Sequence, residues 1–233
     1  FMSPEQIRTH IQSDTVKNII VDCDAGADGD DQFALTYAIA SPHKVRVLAV
    51  CSAPYNEPEE AVAAGKAECE EIISAAGVTI PVYEGSPAFI RETKKPINSP
   101  AAKALRELVL SNREPIYAVI TGCCTNVASA LSLYPEIRDK LIVVWLALDH
   151  LQGQNNTDEY NYRNDIEAGK ILFDLAENMA LVCAGRVVAP YRKNNDEIDE
   201  LFSASRPLPT WLRRRFREIS WAQGLWDLCA EGL

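Results

Sequence analysis

The chain has 233 residues, 47% apolar and 24% charged, long enough to bury a sizeable core. Its net charge of −10, without a basic stripe, argues against nucleic acid or an anionic membrane surface as a partner. No apolar stretch approaches the roughly 18–20 residues of a spanning helix, and the polar start lacks the apolar core of a secretory signal.

Residues 18–23 read as a buried, β-branched strand and 30–41 as a helix, with Phe33, Ala34, Tyr37 and Ala38 on one apolar face. A second strand is expected over 44–52. A long helix follows over 58–77, with Gly77 as its stop. Further strands are expected at 80–85, 116–122, 140–148 and 180–185, and helices at 99–112, 126–137 and 165–176. The tail, 196–233, reads helical. This alternation predicts an α/β fold: an open, mostly parallel sheet with helices on both faces. With no linker or repeat, one domain is expected over residues 1–233.

Seven cysteines, without a CxxC spacing, are expected to be reduced thiols of a cytoplasmic protein. The pair Cys123–Cys124 is expected to pack, and Trp145 to be core. His10, His43 and the basic run Arg213–Arg215 are expected to be solvated. His150, after the fifth strand, is a minor candidate for the site.

In open α/β sheets ligands gather beyond the carboxyl ends of the strands. Three polar clusters fall there: 22–31, 121–126 and 149–161. The first holds Asp22, Asp24, Asp28, Asp30 and Asp31 within ten positions. Helix capping would account for Asp30 and Asp31. It does not account for Asp22 and Asp24 at the end of a buried strand, where desolvation is costly. A hard cation such as Ca²⁺ or Mg²⁺ would compensate the repulsion, and Gly26 and Gly29 would let the loop bend around it.

The segment "DCDAGADGDDQFAL" (22–35) resembles the DxDxGxDDxxAL signature of the nucleoside hydrolases, the calcium-dependent N-ribohydrolases, with two extra residues before the Asp pair. "TGCCTNVASAL" (121–131), "DEYNYRNDIEAGKILF" (158–173), "LWDLCA" (225–230) and "YNEPEEA" (55–61) resemble later elements of that family, in order. The resemblance implies cleavage of the N-glycosidic bond of a small ribonucleoside-like substrate, using a calcium-bound water and an aspartate base. It implies Asp24 as that base. Asp24, Asp31, Asp227 and the carbonyl of Thr125 would hold Ca²⁺. Asp30, Asn56, Glu159 and Asn161 would contact the ribose, and Asp22 would support the site. Asp28, in the insertion, has no counterpart. The resemblance also allows a homo-oligomer.

Trp226 stands where the family often has a His, so it is expected to stack on the base or pack, without donating a proton. The chain ends soon after Asp227, so a fragment or a short member is expected. Two alternatives stay open. One is a non-catalytic ribose- or metabolite-binding protein. The other is a haloacid dehalogenase-like phosphatase with Asp22 as nucleophile, which would need partners such as Lys140, Lys170 and Asp196.

Overall fold

The structure is a computed structural model, describing residues 3–149, 158–184, 192–219, 222–225 and 227–231. Its sheet is built from β1 (Lys17–Cys23), β2 (Val45–Ser52), β3 (Val82–Tyr83), β4 (Ile116–Ile120), β5 (Leu141–Leu146) and β6 (Asn178–Val182). All pair in parallel, in the spatial order β3-β2-β1-β4-β5-β6. The order reverses between β1 and β4. There the flanking connections leave in opposite directions and open a crevice beyond the carboxyl ends.

Strand alternation sorts the core into two faces. Ile20, Ala118, Ile120, Val143 and Trp145 pack with α5 (Pro100–Ser111), α6 (Thr125–Leu133) and α8 (Ile166–Leu175). Ile19, Val21, Tyr117, Val119 and Val144 face α2 (Asp31–Ala40) and α3 (Pro58–Ala76). Strands covered on both faces need nearly continuous apolar sequence, which "IIV" and "LIVVWL" supply. Each fully buried Ile contributes about 1.5–3 kcal/mol. Trp145 lies in this core, its indole N–H donating to the Gly122 carbonyl at 3.0 Å.

The alternation of elements is as expected, with local differences. The start forms α1 (Pro4–Gln12), closed by a capping box between Ser3 and Gln6. His10 is not solvated: its ring stacks on Tyr117 at 5.7 Å and hydrogen-bonds the phenol. Helix α6 stops at Leu133 because Pro135 opens a separate 3₁₀ turn. Helix α3 ends as expected, with Gly77 left-handed at φ +70°.

The tail is only partly helical. β7 (Arg192–Asn194) pairs antiparallel with β8 (Ala222–Gly224), around α9 (Asn195–Leu201) and α10 (Pro207–Ile219). α10 docks on α2 through Phe33, Leu212 and Phe216. The basic run is not wholly solvated either, because Arg215 makes a bidentate pair with Glu68 of α3. A short α11 (Leu228–Glu231) closes the described chain. Among the described residues no helix is long and apolar enough to cross a membrane. Trp226 and His150 lie outside the described residues.

Candidate active site

Strand parity decides which helix each strand-end residue meets. Asp22 shares the face of Ile20, toward α6, and its Oδ1 accepts from Asn126 Nδ2 at 2.8 Å. The same amide donates to the Ser52 carbonyl and accepts from Ser86 N–H, tying β1, β2 and α6 together. Thr121, one residue past β4, falls on the opposite face and donates its hydroxyl to Asp31 Oδ1 at 2.7 Å. The Thr121 N–H donates to the Asp22 carbonyl at 2.9 Å, so the two strand ends are joined at the switch point.

Above them opens a cavity of about 370 Å³. It is lined by Asp24, Asp28, Asp30, Thr121, Leu146, Asp149, Asp158, Glu159, Tyr160, Asn161, Ala184 and Asp227. Carboxylate oxygens of Asp28, Asp30, Asp31 and Asp227 lie within 4.8 Å of one another. Asp227 is brought there by its own N–H, which donates to Asp30 Oδ2 at 3.3 Å. Asp30 precedes α2 but makes no capping bond with its side chain, so capping does not explain it.

Four carboxylates this close raise one another's proton affinity. Asp24, Asp30 and Asp227 are held well above the usual carboxylate range, first by burial. Next come the charges of Asp31 and Asp28 on Asp24, the contact and charge of Asp28 on Asp30, and the charges of Asp30 and Asp31 on Asp227. Asp31 is pushed up to about 7 by burial and by Asp28, against the Thr121 hydrogen bond. Asp24 Oδ2 and Asp31 Oδ2 are buried without a donor. An array of this kind, rich in hard oxygens and short of donors, fits a divalent cation.

Gly122 makes room for Asp24. A Cβ there would lie 2.9 Å from the Asp24 carboxyl carbon and one of its oxygens. Asn56, expected at the ribose, is exposed and not among the residues lining the cavity; it is left-handed (φ +41°) and accepts from the hydroxyl of the lining residue Tyr160 at 3.4 Å.

Other expected residues are engaged in ways the sequence did not suggest. Glu159 caps α7 (Tyr160–Asn164): Oε1 accepts from Asn161 N–H, and Oε2 from Tyr162 N–H and Leu148 N–H, at 2.9–3.0 Å. Asn161 donates from Nδ2 to the Thr121 and Leu146 carbonyls, at 2.6 and 2.9 Å. Both still line the cavity, but only acceptor positions are left to meet a ligand. Thr125 is the first residue of α6, and its hydroxyl, as distinct from the carbonyl expected to meet the ion, donates to Asp165 Oδ2 at 2.7 Å. Asp165 also accepts from the Ile90 and Arg91 N–H groups of α4 (Ile90–Thr93) and from Ala168 N–H of α8, a structural anchor for α4, α6 and α8.

Thr121, Asp149, Asp158 and Tyr160 fall in the polar clusters 121–126 and 149–161, but the sequence did not single them out as site residues. The position of Thr121, directly after an apolar strand and before a glycine, was the available signal. Cys123 and Cys124 are buried, and burial pushes both thiols well above their usual range, as packing residues require. Asp22 lies beneath the cavity, not in its wall, and Lys170 is a surface residue paired with Glu167, so nothing here favours the phosphatase alternative.

A parallel sheet with a carboxylate-walled crevice at its switch point defines an α/β protein with an acidic, ligand-sized site. Residues 19–229 match the family model described as inosine-uridine preferring nucleoside hydrolase, and the chain belongs to that family. It is 30% identical over 208 residues to the pyrimidine-specific ribonucleoside hydrolase RihA of Escherichia coli, an alignment covering 80% of this chain and 65% of RihA. The chain therefore spans about 65% of the length of that relative. Its fold is similar to that of the plant nucleoside hydrolase PpNRh1, with TM-score 0.75 and 20% identity over 94% of this chain and 78% of that one. It is also similar to a purine-preferring ribonucleoside hydrolase from Gardnerella vaginalis, with TM-score 0.69 and 20% identity over 93% and 79% of the two chains.

Proposed function

We propose that the protein hydrolyses the N-glycosidic bond of a ribonucleoside, with Ca²⁺ in the acidic crevice and Asp24 as general base. One observation carries the reading: in a chain of this family, Asp24, Asp28, Asp30 and Asp227 share a cavity of about 370 Å³ with Glu159 and Asn161. Its relatives bear the names of pyrimidine-specific and purine-preferring ribonucleoside hydrolases, which supports a ribonucleoside as the class of substrate without choosing a base.

Asp24, Asp31, Asp227 and the Thr125 carbonyl would hold the ion, and Asp28 and Asp30, the latter implied as a ribose contact, stand close enough to join them. When bound, Ca²⁺ supplies Lewis acidity, which makes a water molecule easier to deprotonate. Asp24 accepts the proton. Burial gives its carboxylate a high proton affinity, as a base requires, and nearby positive charge would keep it ionised at neutral pH. Asn161 Oδ1 and the remaining acceptor capacity of Glu159 receive ribose hydroxyls. That binding at a distance from the reacting carbon contributes energy used as oxocarbenium character develops.

Hydrolysis of uridine and inosine, measured with Ca²⁺ and with a chelator, tests this. Base release that the chelator abolishes and Ca²⁺ restores is expected. Release that is insensitive to the chelator would overturn the role of the ion, and no release from either substrate would overturn the activity.

A further inference from the structure

We infer that helix α10 is part of the acidic site: Arg215, through Glu68 and Gln32, holds the Asp28 turn so that Asp28 stands as the fourth carboxylate of a cation site. The inference rests on the reading of the cluster as a site for Ca²⁺.

Asp28 is the least buried of the four carboxylates and lies in the turn between β1 and α2. Repulsion from Asp30, Asp31 and Asp227 would drive it toward water. The backbone of the turn is held against this. Gln32, almost fully buried, donates from Nε2 to the Asp28 carbonyl at 3.2 Å and to Glu68 Oε1 at 2.5 Å. Glu68 is itself gripped by Arg215, whose Nε and Nη2 donate to its two oxygens at 2.6 and 2.8 Å. A planar fork on a carboxylate fixes orientation as well as distance.

The same Glu68 walls the start of the turn. A Cβ at Gly26, where φ is +106°, would lie 3.4 Å from Glu68 Oε2 and 3.0 Å from the Tyr55 hydroxyl. The turn thus hangs from Gln32 at Asp28, with Glu68 set close beside it at Gly26. That the cluster is aimed at a ligand has separate support, since Asp31 Oδ2 is buried within it with no donor. Arg215 touches neither cavity nor cluster, so its role is one of positioning.

The test is calorimetric titration of chelator-stripped protein with Ca²⁺, for wild type, Arg215→Met, Asp28→Asn and the double variant. Each single change is expected to weaken Ca²⁺ binding about 10-fold, the lower end for a group that orients metal ligands. The double variant should bind no more weakly than Asp28→Asn alone, because both changes act through one carboxylate. Gln32→Met, which leaves the Arg215–Glu68 pair intact, should reproduce the loss if Arg215→Met does not fold. Unchanged affinity in Gln32→Met, or losses that multiply in the double variant, would overturn the inference. Failure of wild type to bind Ca²⁺ would instead overturn the cation reading beneath it.

Discussion

The Thr121 hydroxyl donates to Asp31 Oδ1 at 2.7 Å, joining the end of β4 to the first turn of α2 beneath the acidic crevice. Four residues on, the Thr125 hydroxyl donates to Asp165 and serves packing. The two threonines should therefore separate by readout. Thr121→Val and Thr125→Val each leave a buried carboxylate short of one donor, costing about 1–3 kcal/mol of stability in urea denaturation. Only Thr121→Val should also alter Ca²⁺ affinity. An equal effect of both on Ca²⁺ would mean that the cluster is not organised through Thr121.

Asp24→Asn retains an oxygen and the packing against Gly122 but removes the basic carboxylate. Turnover of a ribonucleoside at saturating Ca²⁺ should fall about 10²–10⁴-fold, with substrate binding retained. Undiminished turnover would move the base to another aspartate of the cavity.

Glu159 receives three backbone N–H groups, so its first effect is on folding. Glu159→Ala leaves the start of α7 and Leu148 N–H without their acceptor. A loss of about 1.5–3 kcal/mol is expected from hydrogen bonds to a charged group, measured as a lowered denaturation midpoint. A variant as stable as wild type, with weaker ribose binding, would show the sugar contact to dominate.

Asp22 and Asp31 are both pushed up to about 7, by burial first. The folded chain holds these protons more tightly than the unfolded chain, whose carboxyls titrate near the ordinary value of about 3.9. Their contribution to stability is thus fully present below about pH 4 and is lost as pH rises through about 7, with a slope of up to about 1.4 kcal/mol per pH unit for each group. Metal-free protein should be more stable to urea at pH 5 than at pH 8, and saturating Ca²⁺ should stabilise it more at pH 8. Stability of the metal-free protein that stays flat from pH 5 to 8 would show these carboxylates to be ionised throughout.

The apolar runs of β1, β4 and β5 and the break at Gly77 were legible because strand burial and helix termination depend on neighbours in sequence. The family was legible for a similar reason, since its motifs are short and ordered along the chain. The density of aspartates after β1 likewise pointed to a site whose members the fold then had to choose. That choice was made by contacts across the molecule. The parity of β4 turns Thr121 toward Asp31, while the start of α6 gives Thr125 to Asp165. Glu159 and Asn161 could be placed beside a ligand from their loop, but not how many of their hydrogen-bonding positions the backbone had already taken. Arg215 read as one of three solvated arginines. Only the docking of α10 on α2 and α3 sets it against Glu68, 147 positions earlier. Composition and period determine which segments are buried. Which buried polar group meets which is decided by the sheet order and the helix docking, because a hydrogen bond is made within about 3 Å and sequence separation carries no information at that scale.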